Sequence, residues 1–488
     1  LTSYKIRSLH VFWHNDTTII IRDENPERKG MGAKQRIYTA GVLYYTVLKI
    51  RTDFRKGRQE DVMERNDPRY QAYVEILKEE LIPAMGCTEP IALAYAAAKA
   101  REVLGVLPDS VQLQVSGSII KNVKSVIVPN TGHLKGMEAA VAAGIIAGSA
   151  EKELEVISEV SEEKKSAIRD YLQTVPITIE HTEQGHVFDI VVTERCGQDY
   201  ARVRIADYHT NICRIEKNGM VLYEVPLLDE TVQEDARADR SLLNMQDIWD
   251  FAETADLRDV ADLLERQIRY NNAIAEEGLL GDYGANIGRV LLTTYGNDVS
   301  NRAKAKAAAG SDARMNGCEL PVIINSGSGN QGITCSVPLI EYAKELHSGK
   351  EKLYRALIIS NLVAIHEKTG IGTLSAYCGA VSAGAGAGAG IVYLCGDGYQ
   401  AAIHTVVNAL AIVSGIVCDG AKASCAAKIA SSVDAALLGY NMYKCNQEFK
   451  GGDGIVMKDI ETTIKGIGRL GKDGMRQTNE EIIRLMMS

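Results

Sequence analysis

A chain of 488 residues is long for one compact core, so two or three domains are expected. Its 46% hydrophobic and 24% charged content is that of an ordinary globular protein, and a net charge of -9 argues against nucleic acid or an anionic membrane as partner. Ten cysteines scattered from position 87 to 445, behind an N-terminal stretch that does not read as a secretory leader, argue against a disulfide scaffold and fit reduced thiols in the cytoplasm.

Residues 1–62 show no sustained apolar period and read as an N-terminal extension that need not be ordered. The functional chain is expected to begin near Met63, where the character changes. Residues 63–110 read as two helices broken at "PAMGCTEP". Residues 111–230 alternate strand-like runs, from "VQLQVSGSIIKNV" and "KSVIVPN" to "MVLYEVPLL", with helical stretches at 133–150 and 160–173. That pattern predicts an inserted, smaller α+β domain of short antiparallel strands. Residues 240–488 are almost wholly helical and rich in Ala and Gly, so the fold class is α+β with a mainly helical catalytic part. Thr369–Gly396 and Gly398–Cys418 carry no charge, yet the first run is mostly Gly, Ala and Ser. Tightly packed buried helices fit that content better than membrane spans.

Three constellations carry chemistry. Cys418 and Cys425 would lie about 10 Å apart along one helix, too far for neighbouring ligands. Cys418 is therefore expected in a loop that Gly420 lets turn, with Cys425 on the following helix and Cys378 elsewhere; such thiolates select soft metal centres. His366 and His404 are conceivable further ligands or ordinary histidines. In "MGCTEP" Gly86 breaks a helix, Thr88 is the expected N-cap and Pro90 fits the first turn. Cys87 then sits where a helix start favours a thiolate or an anion, unless it is incidental. "GSGNQG" (327–332) matches G-x-G-x-x-G, but no βαβ pattern surrounds it. Its polar residues suit a carboxylate or an amino-acid zwitterion, or simply a hydrogen-bonded helix cap.

Together, "AMGCTEPIALAYAAAKA", "GSDARMNGCELPVIINSGSGNQGI", "KTGIGTLSAYCGAVSAGAGAGAGIVYL" and "GIVCDGAKASCAAKIASSVDAALLGY" resemble the iron-sulfur L-cysteine desulfidases. These are relatives of the α domain of iron-sulfur L-serine dehydratase, and the resemblance runs from Met63 to the C-terminus. It implies a lyase that uses a [4Fe-4S] cluster and no PLP. Three cysteines would hold the cluster and leave one iron to act as Lewis acid on the leaving group. By position Cys378, Cys418 and Cys425 correspond to the cluster ligands. Cys87, with Thr88 and Glu89 of the same motif, belongs to the catalytic group, as a thiol or as a replacement ligand. Arg314, Asn325, Ser326, Ser328 and Asn330 are the expected grip on the substrate; His366 and Lys422 are candidates for the base. L-Cysteine is expected over L-serine, because the Ser-Ser-Ser-His-Thr string of serine-specific relatives does not occur. A non-catalytic iron-sulfur amino-acid sensor is the alternative of another class. The expected partner is a small amino acid, with neither nucleic acid nor membrane, and a homodimer is left open.

Overall fold

Two separate units divide the chain between Val62 and Met63. The computed structural model describes residues 63–182, 186–225, 237–372 and 375–487, and four strands before them. Those strands, β1 (Ser3–Ile6), β2 (Leu9–Trp13), β3 (Thr18–Asp23) and β4 (Arg36–Thr39), pair in sequence order as an antiparallel sheet. The rest of residues 1–62, with the expectation made for them, lies outside the described residues.

The second unit opens with α1 (Pro68–Glu80), started by Asp67, whose carboxylate accepts from the Arg69 amide at 2.8 Å, and by Pro68 in the first turn. After β5 (Pro83–Met85) the chain enters α2 (Thr88–Leu104). The N-cap is Cys87, one residue before the expected Thr88. β6 (Ser110–Ser116) alternates buried and half-buried positions, as one packed face requires. It leads through α3 (Gly117–Val123), α4 (Gly136–Ala147) and α5 (Glu162–Thr174) to β7 (Ile177–Thr182), β8 (Asp189–Cys196), β9 (Asp199–Ala206), β10 (Ile212–Lys217) and β11 (Met220–Glu224). The sheet order is β11-β10-β9-β8-β6-β7. All its pairs are antiparallel except β6 with β7, because the three-helix crossover returns the chain in the same direction. "KSVIVPN" makes only a single bridge, Ile127 to Lys135, rather than a strand. α2 packs on β8 and β9, so the helix that carries Cys87 also covers the sheet.

The helical part comprises α6 (Met245–Thr254), α7 (Ala261–Leu280), α8 (Ile287–Tyr295), α9 (Val299–Met315), β12 (Pro321–Ile323), α10 (Gly329–Glu345), α11 (Lys350–Ile371), α12 (Gly379–Cys395), α13 (Tyr399–Val413), α14 (Ser424–Lys444), α15 (Ile460–Arg469) and α16 (Arg476–Met487). β12 pairs antiparallel with β5 and so brings the 325–331 loop beside Cys87. The central element is α12, which packs against α10, α11, α13 and α14. Its alternating glycines allow this. A Cβ on Gly384 would lie 2.8 Å from Ser432 of α14, and one on Gly386 2.4 Å from the Ser360 carbonyl of α11. Among the described residues no helix is long and apolar enough to cross a membrane.

Candidate active site

The ends of α2, α9, α10, α12 and α14 surround a cavity with about 110 Å³ of solvent space, room for several waters or one small metabolite. Cys87, Cys378, Cys418 and Cys425 all line it. Cys378 is the N-cap of α12; its amide donates to the Ile416 carbonyl at 3.2 Å, and the Cys418 amide donates to Ala376 at 2.6 Å. This short bridge of 376–378 with 416–418 sets the two thiols on neighbouring backbones. Gly420 (φ +93°) then turns the chain under the Lys121 carbonyl, where a Cβ would lie 2.1 Å from the oxygen, and α14 presents Cys425.

Burial first, then the neighbouring Cys418 and Cys425, push the Cys378 thiol up to about 12; burial also raises Cys425. Three thiolates within range of one another repel unless a cationic centre lies among them. Among the described residues no three His, Cys, Asp or Glu side chains are gathered as the shell of a single metal ion. A sulfur-only donor set spread around a cavity fits a polynuclear iron-sulfur group, which is wider than one ion and is held mainly by thiolates.

At the start of α2, in a small cluster against which Cys425 packs, Cys87 donates to Glu89 Oε2 at 3.1 Å. Glu89 also accepts from Thr88 Oγ1 at 3.1 Å and from Asn122 Nδ2 at 2.9 Å. Burial and then the Glu89 charge push the Cys87 thiol well above its ordinary range, the reverse of the thiolate that a helix start alone predicts. The desolvation of a fully enclosed sulfur and an adjacent carboxylate outweigh the helix dipole.

The 325–331 loop is a two-residue hairpin turn. Asn325 and Ser328 exchange backbone hydrogen bonds at 3.1 and 3.0 Å, with Ser326 (φ 48°) and Gly327 (φ 74°) both left-handed. A side chain on Gly332 would strike the Ile323 carbonyl at 1.9 Å. The three glycines thus serve a turn and close packing, not a pyrophosphate. Ser326, Ser328, Asn330 and Gln331 line the cavity, as does Arg314 from the last turn of α9. Arg314 is 2% exposed and donates from Nη1 to Asn330 Oδ1 at 3.2 Å, while its Nε has no acceptor. No carboxylate among the described residues pairs with it.

Other expected residues lie elsewhere. Asn325 is fully buried and braces the turn by donating to Asn361 Oδ1 at 3.0 Å. His366 Nε2 is held 2.8 Å from Glu461 Oε2, and Lys422 Nζ 3.0 Å from Asp419 Oδ2; neither lines the cavity, since each side chain is drawn off by its own acidic partner. His404 pairs with Glu448 at 2.6 Å. Conversely, Lys121, Asn122, His209, Lys368 and Tyr377 line the cavity without having been singled out. Lys121 donates to Asn479 Oδ1 of α16 at 2.6 Å; Lys368 donates to the Gly372 carbonyl at 2.6 Å, and burial brings its amine down to about 8. Buried polar residues beside apolar runs were the available signal, but nothing local aims them here.

Residues 151–484 match the profile of a family described as the serine dehydratase alpha chain. The match includes Arg314 and the three clustered thiols and leaves out Cys87. Among similar proteins, a UPF0597 protein of Desulfitobacterium hafniense (strain Y51) is 61% identical over 426 residues, 87% of this chain and 99% of that one. A UPF0597 protein of Lachnoclostridium phytofermentans is 52% identical over 419 residues, 86% of this chain and all of that one. One of Treponema denticola is 46% identical over 430 residues, with 87% and 100% coverage.

Proposed function

The chain belongs to the serine dehydratase alpha chain family, and from that premise we propose that it is an iron-sulfur lyase releasing sulfide from L-cysteine to give pyruvate and ammonia. The observation that supports this most is one cavity lined by four cysteines and by a buried arginine without a carboxylate partner among the described residues. Cys378, Cys418 and Cys425 would hold a [4Fe-4S] cluster. When bound, the cluster supplies a Lewis-acidic iron that makes the β substituent a better leaving group.

The chain's own residues do the rest. An isolated buried guanidinium is costly, and a substrate carboxylate at Arg314 relieves that cost. The Ser328 hydroxyl and the first-turn amides of α10, which have no intrahelical acceptor, suit the same carboxylate, while the Ser326 hydroxyl donates to Asn325 Oδ1 at 2.9 Å. Asn330, already bonded to Arg314, fixes the guanidinium plane. With the carboxylate pinned, only rotation about Cα remains to be set before the α-hydrogen and the β substituent align. Cys87 carries its proton on Sγ beside Glu89 and can hand it to the departing group.

Sulfur is the softer donor for iron, which favours cysteine over serine. The family description favours the dehydration of L-serine, so both substrates belong in the test. Protein reconstituted with iron and sulfide without air, then given each amino acid, is expected to form pyruvate faster from L-cysteine, with equal sulfide. Turnover of L-serine alone would assign the dehydratase reaction. Binding without turnover of either would assign a sensor.

A further inference from the structure

Resting on the lyase reading, we propose that His209 Nε2 is the base that removes the α-proton of the substrate. His209 reaches the cavity from the loop between β9 and β10. That loop is held by the Asp207 amide donating to the Phe188 carbonyl at 3.0 Å and by Asn211 Nδ2 donating to the Ala206 carbonyl at 2.9 Å. The ring of Phe188 meets the imidazole edge-on, centroids 4.7 Å apart. On another side the imidazole lies over the substrate-facing turn, where a Cβ on Gly327 would be 3.3 Å from Cε1. The residue is 8% exposed, and its Nε2 is buried with no hydrogen-bond partner. A packed ring whose Nε2 is buried and unpaired, on a residue that lines the cavity, is a polar group for which a ligand can supply the partner.

Of the other titratable groups facing this cavity, Glu89 accepts three hydrogen bonds, one of them from Cys87, while Lys121 donates to Asn479 and Lys368 to the Gly372 carbonyl. The Tyr377 hydroxyl lies 3.2 Å from Ser414 Oγ, Arg314 does not deprotonate, and Cys378, Cys418 and Cys425 are the expected ligands. Lys368 is the rival base that the test below separates from His209. Burial, and less strongly the Arg314 charge, hold the imidazole below its ordinary range, while Glu89 acts the other way. It is therefore neutral and able to accept a proton at pH 7. His209 also lines a second, outer chamber of about 810 Å³, together with Ser326, Gly327 and Lys368. The proton can leave by water in that chamber.

The step balances without oxidant or reductant. Nε2 takes the proton from Cα, the C–H pair becomes the Cα=Cβ bond, and the Cβ–S pair departs with sulfur. The aminoacrylate tautomerises to an imine, and one water converts it to pyruvate and ammonia.

The test uses cluster-loaded full-length protein kept from air, as wild type, His209→Gln and His209→Asn. Expected are wild-type iron content, an unchanged response of the cluster absorbance to L-cysteine, and kcat lower by about 10²- to 10⁴-fold. The low-pH limb of kcat/KM should vanish with the imidazole. Variants keeping kcat within about threefold and the same limb overturn the proposal. If neither variant loads a cluster, the wild type decides. An α-deuterium isotope effect with a limb below the ordinary histidine range supports His209, and a limb only above pH 8, where lysine or thiol groups titrate, overturns it. A wild type inert toward both amino acids sinks the lyase reading itself; an active one with undiminished variants sinks only this assignment.

Discussion

Cys87 is the residue whose two expected roles differ most in what they predict. As sequence it could be a ligand or a catalytic thiol. Here its Sγ gives a hydrogen bond to Glu89, and burial keeps the proton on sulfur. The same burial raises Cys378 and Cys425, so it is the Glu89 carboxylate beside Sγ that sets Cys87 apart and suits it to act as an acid. Cys87→Ala should therefore retain iron, sulfide and the visible absorbance while turnover falls by about 10²-fold or more. Loss of iron with the substitution would make Cys87 a ligand. Asp312 gives a second prediction. Burial, opposed by hydrogen bonds from the Ile287 and Ala285 amides, lifts its carboxyl from 3.8 to about 6. The folded chain then binds a proton that the unfolded chain has already released. This contribution to stability is whole below about 3.8 and is lost as the pH rises through 6. Urea midpoints of Asp312→Asn should gain on those of the wild type as the pH rises from 4 to 6; parallel lines would contradict the assignment.

At the scale of elements, the uncharged Ala-Gly run is explained by α12, whose two glycine faces meet α11 and α14 at backbone distance. Gly386→Ala places a methyl against the Ser360 carbonyl and should cost about 1–3 kcal/mol, read as a lower melting temperature. Gly415→Ala, with open space around it, should change stability by less than about 0.5 kcal/mol. Helices and hairpins were legible in the sequence because their periods are local: α5, β8, β9 and β10 fall where alternation or a 3.6 period announces them. The parallel pairing of β6 with β7 was not legible, since a three-helix crossover sets it. The helical turn of "GSIIKNV" was not legible either: β-branched residues suggested a strand, but α3 packs beneath α16 from the far end of the chain.

At the scale of the molecule, the site is assembled from segments far apart in sequence. The thiols, Arg314 and the polar turn were readable as motifs, because each needs a peculiar local composition. His209 was not, being a single histidine on an ordinary hairpin more than a hundred residues from both Cys87 and Arg314. Only the packing of the sheet against α2 brings that hairpin to the cavity. His366 and Lys422 were attractive as residues near the right motifs, yet local acids claim them. The account depends on three cysteines holding a cluster with one iron left for substrate. Mössbauer spectroscopy of iron-57-loaded protein, prepared without air, reads that directly. The expected spectrum is a cubane in which one iron of the four shifts when L-cysteine is added. A spectrum without a cubane, or one whose four irons ignore the amino acid, would contradict it.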